Sequence, residues 1–232
     1  MFILLRQHLR LYFALEEGRD MSINPRTQKI LKMVELAMLV ALVIVLQMLG
    51  SFIKIGPLPM SFVLVPIVIG ACILGSGGGA FLGAVFGVIT MIMGIAGIDA
   101  FSFLLWEANP VWFILVCLLK ATLAGLCSGL VYKGLGKLFG ERFVYLRTVL
   151  ASITAPIVNT GVFVIGMFLF FFETMEGLPT LFPDVFGQFE NAFQLVFLGL
   201  AGFNFVGEFI VNLVLSPAIV RIIAAVKKRF KI

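Results

Sequence analysis

The sequence predicts an all-α membrane protein, a compact bundle of about six transmembrane helices with both termini on the cytoplasmic side. Three observations carry that expectation. Of 232 residues, 61% are hydrophobic and 12% charged, where a soluble domain carries about a quarter charged residues, and the mean hydropathy is +1.14. The apolar residues fall into six stretches, each about long enough to cross a hydrocarbon core roughly 30 Å thick. The basic residues gather in three regions that fall on one side only if the number of spans is even.

The stretches lie near Ile30–Phe52, Met60–Leu74, Gly78–Ala96, Val111–Tyr132, Leu146–Phe171 and Phe193–Val220. The second is short and interrupted by Pro66 and Gly70, so a kinked, tilted or incomplete span is expected there. Arg6, Arg10, Arg19, Arg26, Lys29 and Lys32 precede the first span. Lys133, Lys137, Arg142 and Arg147 surround the connection from the fourth to the fifth, and Arg221, Lys227, Lys228, Arg229 and Lys231 follow the sixth. The opposite side receives Asp99, Glu107, Glu173, Glu176, Asp184 and Glu190, with Lys54 as its basic residue. The positive-inside rule then places both ends in the cytoplasm. Residues 1–28 read as a cytoplasmic extension and 29–232 as the membrane domain. Phe2–Leu5 is too brief for a secretory signal, and Met21, which leads directly into the first basic flank, is an alternative start.

Several chemistries are disfavoured. The net charge of +5 resides in span flanks, not in an aromatic-interleaved basic patch, so a nucleic-acid partner is not expected. Cys72, Cys117 and Cys127 lie in apolar segments without C-x-x-C spacing, and His8, the single histidine, lies outside the spans. No metal site, cofactor or histidine-based catalysis is expected. The spans offer neither a Ser/His pair nor paired aspartates for a membrane enzyme. No Walker motif occurs, so an ATPase would have to be another chain.

Small residues mark the helix faces that approach closely in lipid. Ala37 and Ala41 form one such pair, and Gly79, Gly83 and Gly87 a stripe on the third span. Each face suits either packing inside the bundle or docking of another membrane protein. Lys120 and Glu208 fall near mid-depth, where a charge costs about 2.5–3.5 kcal/mol on insertion scales. They are expected to face the interior, either as a self-neutralising pair or at a ligand site. Asn159, Asn204 and Asn212 add amides at related depths, and Asn204, Glu208 and Asn212 share one helical face. In the segment Gly97–Pro110, Trp106 and Asn109 stand among bulky apolar residues, which suits interfacial anchoring or a lid over a cavity. Phe182, Phe186 and Phe189, in the connection from Glu173 to Asn191, suit a cover for the same mouth.

The A-x-x-x-A of Ala37 and Ala41, the run IGPLPMSFVLVPIVIGACILGSGGGAFLGAVFG from Ile55 to Gly87, and the later Asn109-Pro110 occur in that order on a six-span plan. From Thr27 to about Lys228 the chain thereby resembles the substrate-binding S component of an energy-coupling factor (ECF) vitamin transporter, most closely the pantothenate-type branch. The resemblance implies a bacterial plasma-membrane vitamin binder without its own ATPase, docked on a transmembrane coupling protein that two cytoplasmic ATPases drive. It also implies that Ala37 and Ala41 contact the coupling protein, and that the whole subunit topples to deliver its substrate. An anion such as pantothenate needs a cation and amide partners. Lys54 and Lys120 are the candidate cations, Asn159 and Asn204 the candidate amides, and Trp106, Asn109 and Glu208 complete the expected site. Another B-type vitamin or precursor, or a structural subunit that binds nothing, is the alternative.

Overall fold

The computed structural model describes residues 25–50, 54–55, 58–59, 62–140 and 143–230, with the backbone alone at 25, 27, 54–55, 58–59, 203–204 and 226–230. His8, Met21 and the rest of 1–24 lie outside the described residues. The chain divides into two compact units, Met1–Met33 and Val34–Ile232. Of the first, the described part is the opening of helix α1 (Pro25–Gly50), where Pro25 occupies a position whose N–H has no intrahelical partner.

The second unit is helical almost throughout. After α1, Lys54–Ile55 (β1) and Leu58–Pro59 (β2) pair antiparallel as a minimal hairpin, with Lys54 opposite Pro59 and Ile55 opposite Leu58. There follow α2 (Leu64–Ile73), α3 (Ser76–Ile95), α4 (Ala100–Ala108), α5 (Pro110–Phe139) and α6 (Val144–Phe170). The short helices α7 (Phe172–Leu181), α8 (Pro183–Phe186) and α9 (Ala192–Gln194) then lead into a π-helical stretch, Leu195–Gly202, and the long α10 (Phe203–Phe230).

Five helices among the described residues are long and apolar enough to cross a membrane: Gln28–Gly50, Ser76–Ile95, Pro110–Phe139, Val144–Phe170 and Ala192–Ala225. The second expected span is instead a helix of 10 residues, about 15 Å long. Its Leu64, Ile67 and Val68 are fully buried, because α2 packs against α3, α5, α6 and α10. A helix with most of its surface covered by protein need not match the bilayer thickness. Gly75, which joins α2 to α3, has φ +84°, a conformation open to glycine at little cost.

The third-span glycine stripe packs inside the bundle. A Cβ on Gly79 would lie 2.5 Å from the carbonyl oxygen of Gly125, one on Gly87 would lie 2.7 Å from that of Cys117, and one on Gly83 would strike the carbonyl of Ala121. Successive turns of α3 therefore lie backbone to backbone against successive turns of α5, the close approach that small residues permit where lipid removes the hydrophobic drive for association. Ala37 and Ala41, in contrast, are exposed on α1.

Two apolar clusters form the interior. One holds Val43, Leu64, Ile67, Leu82, Ala155, Ile219 and Ile223; the other holds Phe101, Phe113, Val116, Met167, Phe171 and Leu200. Along α5 and α6 these clusters occupy opposite ends. Between them the inward residues turn polar.

Candidate functional site

A cavity of about 800 Å³, its mouth included, opens in this zone within the second unit. Helical periodicity determines which side chains reach it. Val116, Cys117 and Lys120 on α5, Asn159, Thr160 and Phe163 on α6, and Phe101, Ser102 and Leu105 on α4 all line the wall. Each trio has the spacing i, i+1, i+4, which puts its members on one helical face. Gln47 and Gly50 reach it from α1, Phe86 and Thr90 from α3, and Glu208 from α10.

Local sequence explains how α4 comes to form part of this wall. Asp99 caps it, its carboxylate accepting from the Ser102 backbone N–H at 3.2 Å and from the Ser102 hydroxyl, which satisfies one of the helix's orphan donors. At the other end Asn109 accepts from the Trp112 N–H at 3.4 Å, and Pro110 begins α5. The Gly97–Pro110 segment is therefore mostly helical, and it buries Phe101, Ser102 and Leu105.

The polar groups are few and mostly buried. Lys120 is half-buried, with Nζ 5.3 Å from the centroid of the Phe163 ring, a cation–π contact worth up to about 2 kcal/mol when desolvated. It is the single cation on the cavity wall among the described residues. Glu208 is fully buried, and the Asn159 Nδ2 donates to its Oε2 at 3.2 Å. The Asn159 Oδ1 and the Thr160 Oγ1 are buried with no hydrogen-bond partner among the described residues. Each such orphan in a closed interior costs about 1–3 kcal/mol. Both belong to residues that line the cavity, where a bound ligand would supply the missing partner.

The structure thus brings together three of the residues anticipated for a site, Lys120, Asn159 and Glu208. Trp106 and Asn109 stand outside the cavity wall: Trp106 packs edge-on against Phe113, centroids 6.2 Å apart, and Asn109 is a helix cap. The side chains of Lys54 and Asn204 lie outside the described residues. Asn212 is fully buried, and its Nδ2 donates to the Glu208 backbone carbonyl at 2.8 Å, so the described part of the polar face on α10 points inward as expected. In the Glu173–Asn191 connection, Phe186 is buried among the second cluster and Phe189 packs against Gly199, away from the cavity wall.

Sequence reasoning did not single out Thr160 or Gln47. Gln47, 8% exposed, is the one strongly polar side chain in the run LVALVIVLQMLG, and an isolated amide in an apolar span is itself a signal for an inward face. Thr160 gives no comparable signal, because threonines in such helices commonly bond their own backbone, as Thr90, Thr148 and Thr154 do here.

Long apolar helices around an interior cavity with mixed polar lining are the architecture of a membrane-embedded small-molecule binding protein. Comparison with known proteins agrees. The family model "ECF transporter, substrate-specific component" matches residues 31–220, and the chain belongs to this family. It is a transport subunit and not an enzyme. The pantothenic acid transporter PanT of Lactococcus lactis subsp. cremoris (strain MG1363) is 30% identical over 152 residues, which cover 61% of this chain and 74% of that relative.

Proposed function

We propose that this chain is the vitamin-binding S component of an ECF-type importer, with pantothenate as its substrate. The observation that carries the binding role is the cavity itself, where Lys120 and the unpartnered oxygens of Asn159 and Thr160 meet within apolar walls. The similarity to a pantothenic acid transporter supports the choice of vitamin. In this reading Lys120 takes the carboxylate in a charge-assisted bond. Asp99 also borders the cavity, but its carboxylate is engaged at the start of α4. Lys54, Trp106, Asn109 and Asn204 remain candidates for the rim and for the approach to the site.

The cavity opens to the outer face and both termini are cytoplasmic, as the distribution of basic residues supports. Lys133 and Lys137 end α5, Arg147 begins α6 and Arg221 lies late in α10, whereas Asp99, Glu107, Glu173 and Glu176 accompany α4 and α7. Delivery follows docking through Ala37 and Ala41 on a transmembrane coupling protein driven by two cytoplasmic ATPases, and toppling of the subunit in a bacterial plasma membrane. The exposure of both alanines supports that role.

Native mass spectrometry of the detergent-purified chain, with pantothenate titrated against other B-type vitamins, tests the reading. A stoichiometric pantothenate adduct is the expected result. An adduct with a different vitamin would replace the substrate, and no adduct at all would favour a structural subunit.

A further inference from the structure

The two unpartnered oxygens differ from the rest of the cavity wall in what they ask of a ligand. Asn159 is 3% exposed and Thr160 8% exposed. The amide of Asn159 is oriented by Glu208, because Nδ2 donates to Oε2, which leaves Oδ1 able only to accept. The Thr160 hydroxyl can accept as well, and Glu208 is among the residues that line the same cavity. This part of the wall is therefore rich in acceptors. Lys120 lies against Phe163, four residues further along α6, a displacement of about 6 Å along the helix axis. Among the described residues the wall therefore carries one cation and, on the neighbouring turn of α6, two oxygen acceptors.

We infer that Asn159 and Thr160 form a donor-reading subsite, which selects ligands that carry hydroxyl groups at the end remote from their carboxylate. The inference rests on the proposed pantothenate reading. Pantothenate has a carboxylate on one side of its amide and two hydroxyls on the other. With the carboxylate at Lys120, the hydroxyls donate to Asn159 Oδ1 and Thr160 Oγ1. Glu208 is a positioning residue, since it acts through the orientation of the Asn159 amide. A ligand without the hydroxyls would enter with the right shape and charge and still leave both oxygens desolvated and unpaired. A site of that kind discriminates far more strongly than one that merely loses an apolar contact.

Calorimetric titration of the full chain in detergent, with pantothenate and with the analogue that lacks both hydroxyls, tests this. The wild type is expected to prefer pantothenate by at least about 100-fold. Thr160→Val, nearly isosteric, and Asn159→Leu should each reduce that preference by about 10-fold or more, chiefly by weakening pantothenate. Lys120→Met should weaken both ligands in parallel and leave the preference unchanged. Equal affinity of the wild type for the two ligands would overturn the subsite, as would an undiminished preference in both α6 variants. Thr160→Val keeps the test decisive if Asn159→Leu does not fold. A wild type that binds neither ligand overturns the substrate reading and the subsite with it; tight pantothenate binding with an unaltered preference in the variants overturns the subsite alone.

Discussion

Asn159 on α6 and Glu208 on α10 are joined by a hydrogen bond of 3.2 Å from Nδ2 to Oε2, both side chains within a tenth of full burial. The bond links two long helices at the level where the apolar interior gives way to the cavity. In an interior of low dielectric, a carboxylate is costly to bury without such a donor.

Asn159→Ala removes that donor and leaves Glu208 short of one bond. The expected loss is about 1–3 kcal/mol of stability, read as a lower melting temperature of the detergent-solubilised chain. Glu208→Gln keeps an oxygen acceptor at the same place and should cost less. Equal melting temperatures for wild type and Asn159→Ala would show that the bond does not hold the two helices together.

The backbone contact between α3 and α5 predicts opposite effects for two glycines. At Gly83 a Cβ would collide with the main-chain carbonyl of Ala121, which cannot rotate aside, so Gly83→Ala should destabilise by about 1–3 kcal/mol. At Gly161, within α6, a Cβ would meet nothing within 4 Å. Gly161→Ala should therefore be neutral or gain up to about 1 kcal/mol from helix propensity. Thermal unfolding of the two variants side by side decides the matter.

Lys120→Met should weaken pantothenate about 10- to 100-fold, the scale of one charge-assisted bond. Lys54→Met is the companion variant, because its backbone lies in the hairpin that follows α1. Unchanged pantothenate affinity in both would remove the anion site from the proposal.

Ala37→Leu and Ala41→Leu enlarge an exposed face of α1. Co-purification with the coupling protein should fall while the affinity for pantothenate stays at the wild-type value. Normal recovery of the complex with both variants would place docking elsewhere.

Much of this protein is determined by sequence alone. Apolar runs of span length, basic flanks and the small-residue stripe of Gly79, Gly83 and Gly87 specify an α-helical membrane bundle, since a bilayer admits few other ways to satisfy the backbone. The inward direction of Lys120, Asn159 and Glu208, which all line the cavity, could also be read, because polar groups within apolar spans avoid lipid. Tertiary packing decided the remainder. The second apolar stretch forms a helix of 10 residues, which its burial under four neighbours allows. Asn109 serves as a helix cap, and Trp106 packs against Phe113. Thr160 lines the cavity, and its hydroxyl has no partner among the described residues. Periodicity assigns a residue to a face of its helix; the hydrogen bonds and close contacts of the neighbouring helices decide which faces meet and which polar atoms remain for a ligand.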